Sequence, residues 1–247
     1  MKETIRNTFN ECLDYNFASG AESVEKPGWI VLLGHGVTGD KDRPVIVDTA
    51  TALNAAGFDT LRFSFAGNGG SEGDFADATI SKEAGDLNAV IEAVSPMYSN
   101  IAYIGHSMGG AVGVLQASKD PRIKALISLA GMVDTKAFAE TEFGDVIPDQ
   151  GLMWDEPDCP LSSQFVEDLC RKIGSVAPQA EQVRVPWLLI HGTADDVVLP
   201  KDSLQIRSIK GDSVDFISIE GADHSFSDPI HNAKMTLSVV EWLKKIM

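Results

Sequence analysis

Ser107 stands in Gly105-His106-Ser107-Met108-Gly109, behind the apolar run Ile101-Ala102-Tyr103-Ile104 and ahead of small and apolar residues at helical spacing. A strand that turns sharply into a helix holds the residue at its tip out toward a substrate, and a serine in that place is a nucleophile. Gly105 and Gly109 let strand and helix approach without a Cβ clash. The start of the helix aims free N–H groups and a partial positive charge at the reacting oxygen. Taken alone, the motif is also compatible with a tight turn that carries a bystander serine. A hydroxyl is a poor nucleophile near neutral pH, so the chemistry needs a base, and the base needs an orienting acid.

Elimination finds the base among five histidines. His35 and His106 lie upstream of or beside the serine, on turns that do not readily face their rings to it. His191 ends a strand, and His231 falls inside the last helical segment. His224 is left, on the loop Gly221-Ala222-Asp223-His224-Ser225-Phe226 after the final strand. Parallel strands would bring that loop to the sheet edge that carries Ser107. The acid belongs on another strand end. Asp195 and Asp196 follow the apolar run 186–190, between Ser107 and His224 in the chain. Asp195 is the first choice and Asp196 the second; Asp223 reads as a turn former, because sequence neighbours seldom point their side chains together. Serine, then aspartate, then histidine, each after a strand, is the order that accompanies the elbow.

Stabilising the developing oxyanion takes positioned donors, each contributing roughly 3 kcal/mol. Met108 supplies one from the helix start. Val37 is assigned the other, from the loop Gly34-His35-Gly36-Val37, where glycines let the backbone come close. The phosphate and dinucleotide fingerprints are absent from that loop. A second glycine-rich stretch, 67–73, is expected to lie near the pocket.

The elements that must position these groups follow from periodicity. The continuous apolar run 29–33 reads as a strand covered on both faces, and 58–64, 101–104, 124–130, 185–190 and 214–219 read as further strands, 124–130 also buried. Helices are expected over 44–56, with Pro44 at a favourable first position and Gly57 as its stop, over 80–94, from 108 to about 118, over 201–209 and over 229–246. In 80–94 the residues Ala84, Leu87, Val90, Ile91 and Val94 share one face. This alternation predicts an α/β fold, a mostly parallel central sheet covered by helices on both faces. Residues 1–28 are polar, with turns at Ser19-Gly20 and Pro27-Gly28, and are compatible with an edge hairpin. The rhythm breaks over 131–185, where scattered aromatics, prolines and acids predict a small, partly helical inserted cap, with 161–173 its best helix. The whole, 1–247, reads as one domain with that insertion.

Composition narrows the partners. A formal net charge of −16 argues against nucleic acid and anionic membrane surfaces. Cys12, Cys159 and Cys170 are scattered without metal-ligand spacing, the N-terminus lacks the apolar run of a signal peptide, and no stretch reaches transmembrane length. A reducing cytoplasm, no metal and no cofactor are the expectations.

Taken together, the sequence resembles the α/β-hydrolase superfamily from about 29 to 246. The carried motifs are Gly-His-Ser-Met-Gly-Gly around Ser107, His-Gly-Thr-Ala-Asp-Asp-Val-Val around Asp195, and Gly-Ala-Asp-His-Ser-Phe around His224. His35-Gly36-Val37-Thr38-Gly39-Asp40-Lys41 and the stretch from Arg62 to Ser71 are similar to small serine esterases, the cinnamoyl and feruloyl esterase group included. Ser64 departs from that pattern, since many relatives carry an aspartate there. The resemblance implies a cofactor-free serine hydrolase that cleaves small or aromatic carboxylic esters through an acyl-enzyme on Ser107. It also implies a cap that sets acyl-group choice, with Trp154 and Phe143 as pocket candidates or plain cap core. A thioesterase, lysophospholipase or serine peptidase would use the same triad, and a non-enzymatic ligand receptor could share the fold. A haloalkane dehalogenase is excluded, because it needs a carboxylate where Ser107 stands.

Overall fold

The expected strands become six members of a seven-stranded sheet, that over 214–219 at one edge, in the computed structural model, which describes residues 4–21 and 28–247. The chain opens with β1 (Ile5–Arg6), β2 (Cys12–Leu13) and β3 (Tyr15–Ala18). Then come β4 (Trp29–Gly34), α1 (Pro44–Ala55), β5 (Asp59–Phe63), α2 (Ile80–Val94), β6 (Asn100–His106), α3 (Met108–Ala117) and β7 (Ile123–Leu129). The insertion carries α4 (Thr135–Phe143), α5 (Ser163–Glu167) and α6 (Ala177–Ala180). The chain closes with β8 (Trp187–Gly192), α7 (Lys201–Lys210), β9 (Asp215–Ile219) and α8 (Pro229–Ile246).

The strand order is β3-β5-β4-β6-β7-β8-β9; β3 runs antiparallel on its edge and every other pairing is parallel. Leaving β4, the chain goes to one side for β5 and returns to the other for β6. That reversal opens a crevice at the carboxyl ends of β4 and β6, the place where open α/β sheets bind ligands. The elbow follows β6 and the Val37 loop follows β4.

Each sheet face has its own core. One face packs α1 and α8 through Val45, Leu53, Met235 and Leu243. The other packs α2, α3 and the insertion, with the expected α2 stripe of Ala84, Leu87, Val90, Ile91 and Val94 buried. The insertion joins that second core through Phe138, Phe143, Phe165 and Leu169. Its expected helix over 161–173 begins at α5, capped by Ser162, whose hydroxyl accepts from the Phe165 amide at 3.0 Å. Beyond Glu167 the ladder widens into a π-helical turn over Asp168–Ile173. There Thr135 Oγ1 donates to the Leu169 carbonyl at 2.7 Å, and such a side-chain bond diverts the regular ladder.

The N-terminal hairpin exists as β1 against β2, and β3 adds itself to the main sheet; Pro27 of the expected second turn lies outside the described residues, as do residues 1–3. The expectation for 67–73 is corrected. None of these residues lines the Ser107 cavity. The stretch packs instead on the N-terminal segment: Glu72 N donates to Cys12 O at 2.8 Å, and Ser71 Oγ accepts from Asp14 N at 2.8 Å. A Cβ on Gly70 would stand 2.6 Å from Asp14 Oδ2, so its glycines serve this contact. Among the described residues no helix is long and apolar enough to cross a membrane.

Candidate active site

Ser107 occupies a left-handed conformation, φ 54° and ψ −122°, a strain of about 1–3 kcal/mol that tertiary bonds must hold. Three main-chain bonds do so. Ser107 N donates to Leu129 O at 3.0 Å, and Ser107 O accepts from Gly110 N at 2.9 Å and from Met132 N at 3.0 Å. The glycines follow from close approach: a Cβ on Gly105 would meet Gly109 O at 2.1 Å, and one on Gly109 would meet His35 O at 2.5 Å.

His35 fixes the neighbouring loop. Its Nε2 accepts from the Phe65 amide at 3.0 Å, which leaves Nδ1–H to donate to Gly36 O at 2.8 Å. Burial pushes this imidazole down to about 4, against a smaller upward pull from the Gly36 carbonyl, so it stays neutral and keeps that tautomer. Gly36 presses against Ser107, since a Cβ there would stand 2.6 Å from Ser107 Cβ. Ser64, the departure noted in sequence, is buried and accepts from Lys41 N at 3.1 Å, tying the same loop to β5. Among the described residues neither Val37 N–H nor Met108 N–H has an acceptor, and Val37 and Ser107 line one cavity.

His224 reaches that cavity from the loop after β9. Its Nδ1 lies 2.9 Å from Asp195 Oδ2. Asp195 Oδ1 accepts from Val197 N at 3.1 Å and from Val198 N at 3.0 Å. Burial raises the Asp195 carboxyl, but the hydrogen bonds from His191 and His224 outweigh it and hold the group well below the usual carboxylate range. Asp196 makes no such contact, and Asp223 accepts from Ser227 N at 2.8 Å as a turn former does. Ser107 Oγ and the His224 ring face the same space without a hydrogen bond between them, a looseness common before substrate binds.

The elimination above sets His106 aside, yet its ring lies 4.9 Å from that of His224, tilted by 42°, and its Nε2 lies 3.0 Å from the His224 carbonyl. Burial first, and the nearby His224 second, push it down to about 3, so it is a neutral prop. His191 is the other residue whose contact sequence reasoning misses: its Nε2 stands 3.2 Å from Asp195 Oδ2, while Nδ1 meets Ser203 Oγ at 2.7 Å. The signal was its position four residues before Asp195 at a strand end.

The cavity measures about 1080 Å³. From the insertion, only Trp154 and Glu156 reach it. Trp154 is 40% exposed, while Phe143 is 3% exposed and stands behind it with ring centroids 4.8 Å apart. Phe143 therefore touches cavity only through Trp154, because the insertion's aromatics are drawn into the core on the far sheet face. Among the described residues no group of three or more His, Cys, Asp or Glu side chains is arranged to hold a metal ion.

Comparison with known proteins adds ancestry to geometry. Residues 25–148 match the family described as serine aminopeptidase, S33. The mitochondrial palmitoyl-protein thioesterase ABHD10 of Bos taurus is 24% identical over 199 residues, 75% of this chain. The chain spans 63% of that relative's length. Est1E from Butyrivibrio proteoclasticus, solved with ferulic acid bound, superposes with a TM-score of 0.86 at 26% identity, over 98% of both chains. Mouse alpha/beta hydrolase domain-containing protein 10 superposes with a TM-score of 0.75 at 18% identity, over 100% of this chain and 97% of that one. The fold is that of the α/β hydrolases, as the motifs imply.

Proposed function

Because this chain belongs to the serine aminopeptidase, S33, family, whose match covers half of it, we propose that the hydrolase is a carboxylic ester hydrolase working through an acyl-enzyme on Ser107. His224 takes the proton of the Ser107 hydroxyl as the oxygen attacks the ester carbonyl. The amides of Val37 and Met108 receive the oxyanion, and protonated His224, oriented by Asp195, hands the proton to the leaving alcohol. A water then repeats the sequence on the acyl-enzyme and frees Ser107. Small and aromatic esters are the substrate class, with Trp154 against the bound group. No metal and no cofactor enter the steps, and the enzyme works in a reducing cytoplasm with Cys12, Cys159 and Cys170 unpaired.

The observation that carries this reading is the 2.9 Å contact of His224 with Asp195 at the rim of the cavity that holds Ser107 and two unengaged amides. The test is Ser107→Ala, assayed with p-nitrophenyl acetate and a fluorophosphonate probe. Hydrolysis and labelling both vanish; retained labelling overturns the nucleophile. Thioesters are a second substrate class for the same steps, favoured by the name of the bovine relative. Rates on matched oxygen and thiol esters separate the two.

A further inference from the structure

The cavity at Ser107 is too large for an aryl ester alone. Its 1080 Å³ lies at the upper end of small-molecule sites, which hold about 300–1,000 Å³. Much of its lining lies beyond the Ser107–His224 site, on α1 and α8. Along α1 the lining residues are Pro44, Val45, Asp48, Thr51, Ala52 and Ala55, a stripe at helical spacing over the whole helix. Across from them Pro229, Asn232, Ala233 and Thr236 form the matching stripe on α8. From Pro44 to Ala55 the groove runs roughly 16 Å at about 1.5 Å per residue.

Its chemistry suits an unbranched apolar chain. The walls are mostly alanine, proline, valine and threonine, with Asp48 and Asn232 as the polar members. Arg43 and Asp48 also line the groove: Arg43 Nη2 donates to Thr38 O at 2.8 Å, and Asp48 Oδ2 accepts from Asn232 Nδ2 at 3.1 Å. Both side chains are exposed, so their charged ends stay in water and leave the alanine and proline surface to the ligand. The helices touch on their buried side, where Thr49 Oγ1 meets Met235 Sδ at 3.7 Å, so the trough has a floor and no room for a second layer. Its openness comes from Ala52, Ala55 and Ala233, where larger side chains would fill it.

We infer that the groove between α1 and α8 is an extended subsite for a linear aliphatic arm of the substrate, and that Ala52, Ala233 and Thr236 set its length limit. The inference rests on the ester hydrolase reading above and adds that the preferred esters carry a medium or long straight chain. With C–C bonds of about 1.5 Å and near-tetrahedral angles each methylene advances roughly 1.25 Å, so the groove takes about twelve carbons. Each buried methylene raises kcat/KM by up to about fourfold. The arm is the acyl chain or the alcohol, two sources with the same chemistry.

The test uses two substrate series on the full chain: p-nitrophenyl esters from acetate to palmitate, and alkyl acetates from methyl to dodecyl. In the series that carries the arm, kcat/KM climbs with chain length and levels off near twelve carbons, by the same geometry. Ala52→Trp lowers the decanoate-to-acetate ratio of kcat/KM, or the corresponding decyl-to-methyl ratio, at least about tenfold. Lys234→Trp, on an exposed part of α8 outside the groove, leaves both ratios as they were. A profile flat in both series, or a ratio untouched by Ala52→Trp, overturns the groove while leaving the esterase intact. Calorimetry on Ser107→Ala keeps the two readings apart. If no ester is turned over, yet this variant binds p-nitrophenyl decanoate more tightly than acetate and Ala52→Trp removes the difference, the groove stands and the esterase falls. Equal binding of both esters overturns the groove.

Discussion

His191 and Asp195 are buried partners: Nε2 of the one stands 3.2 Å from Oδ2 of the other, the same oxygen that His224 Nδ1 reaches at 2.9 Å. With Val197 and Val198 amides on Oδ1, the carboxylate is held from four sides. An acid so fixed keeps the base in one tautomer and one orientation. Asp195→Asn is therefore expected to lower kcat by about 10⁴-fold with little change in KM. Asp196→Asn, which touches neither histidine, changes kcat less than about twofold, within the range of surface substitutions. His191→Gln lowers kcat by about tenfold, the scale of a lost supporting contact, with KM kept. Steady-state kinetics on p-nitrophenyl acetate decides all three.

Two buried neutral histidines make the fold sensitive to acid. Burial lowers His35 to about 4 and His106 to about 3, both below the 6.5 of an unfolded histidine. The unfolded chain therefore binds protons first, so stability is complete above pH 6.5 and drains as pH falls toward those folded values. For His35 alone the loss is about 3 kcal/mol by pH 4. Urea midpoints measured from about pH 7 to about pH 4 are expected to fall steeply, and His35→Gln to flatten the decline.

Glu83 titrates in the opposite sense. Burial first, then the nearby carboxylates of Asp86 and Asp168, raise it well above the usual range, with Lys82 pulling weakly the other way. Its Oε2 has no hydrogen-bond partner. The folded protein holds the proton more tightly, so this contribution is complete below the unfolded value of 4.5 and is lost as pH rises above it. Glu83→Gln is expected to raise stability by about 1 kcal/mol at neutral pH, with the gap widening as pH rises above 4.5. Thermal melts across that range check it.

Trp154 faces the cavity from a left-handed backbone, φ 49°, with its indole N–H donating to Glu142 Oε2 at 2.9 Å. A ring held at two points meets a planar substrate without further ordering. Trp154→Ala is expected to raise KM for p-nitrophenyl or hydroxycinnamoyl esters about tenfold, the upper range of one aromatic contact, with kcat kept. Competition between methyl ferulate and methyl acetate reads the difference directly.

Strands and long helices are legible in this sequence because burial on both faces imposes continuous apolar runs, and covering helices show one stripe. Thus 80–94 appears at its full extent, and 229–246 likewise. Ser107, Asp195 and His224 are legible because topology puts strand ends on one edge, so order along the chain stands in for distance. The supporting shell is harder to see. His35, His106 and His191 act through contacts between loops far apart in sequence, and a histidine's neutral, buried state leaves no mark on periodicity. The 67–73 loop misleads because a glycine-rich turn looks alike whether a ligand or another segment approaches it. The groove hides for the same reason: Ala52, Ala55 and Ala233 read as ordinary helix formers.

The elbow carries one more consequence. Leu129 O, Gly110 N and Met132 N all grip the main chain at position 107 and none grips its side chain. Where the reacting atom sits is thus decided separately from which atom it is. A thiol or a carboxylate could occupy the same socket without rebuilding the turn, so the scaffold is a mount on which the warhead is exchangeable. The frame thus fixes a place at 107 and leaves the chemistry done there to the side chain, as a fold that hosts several functions requires.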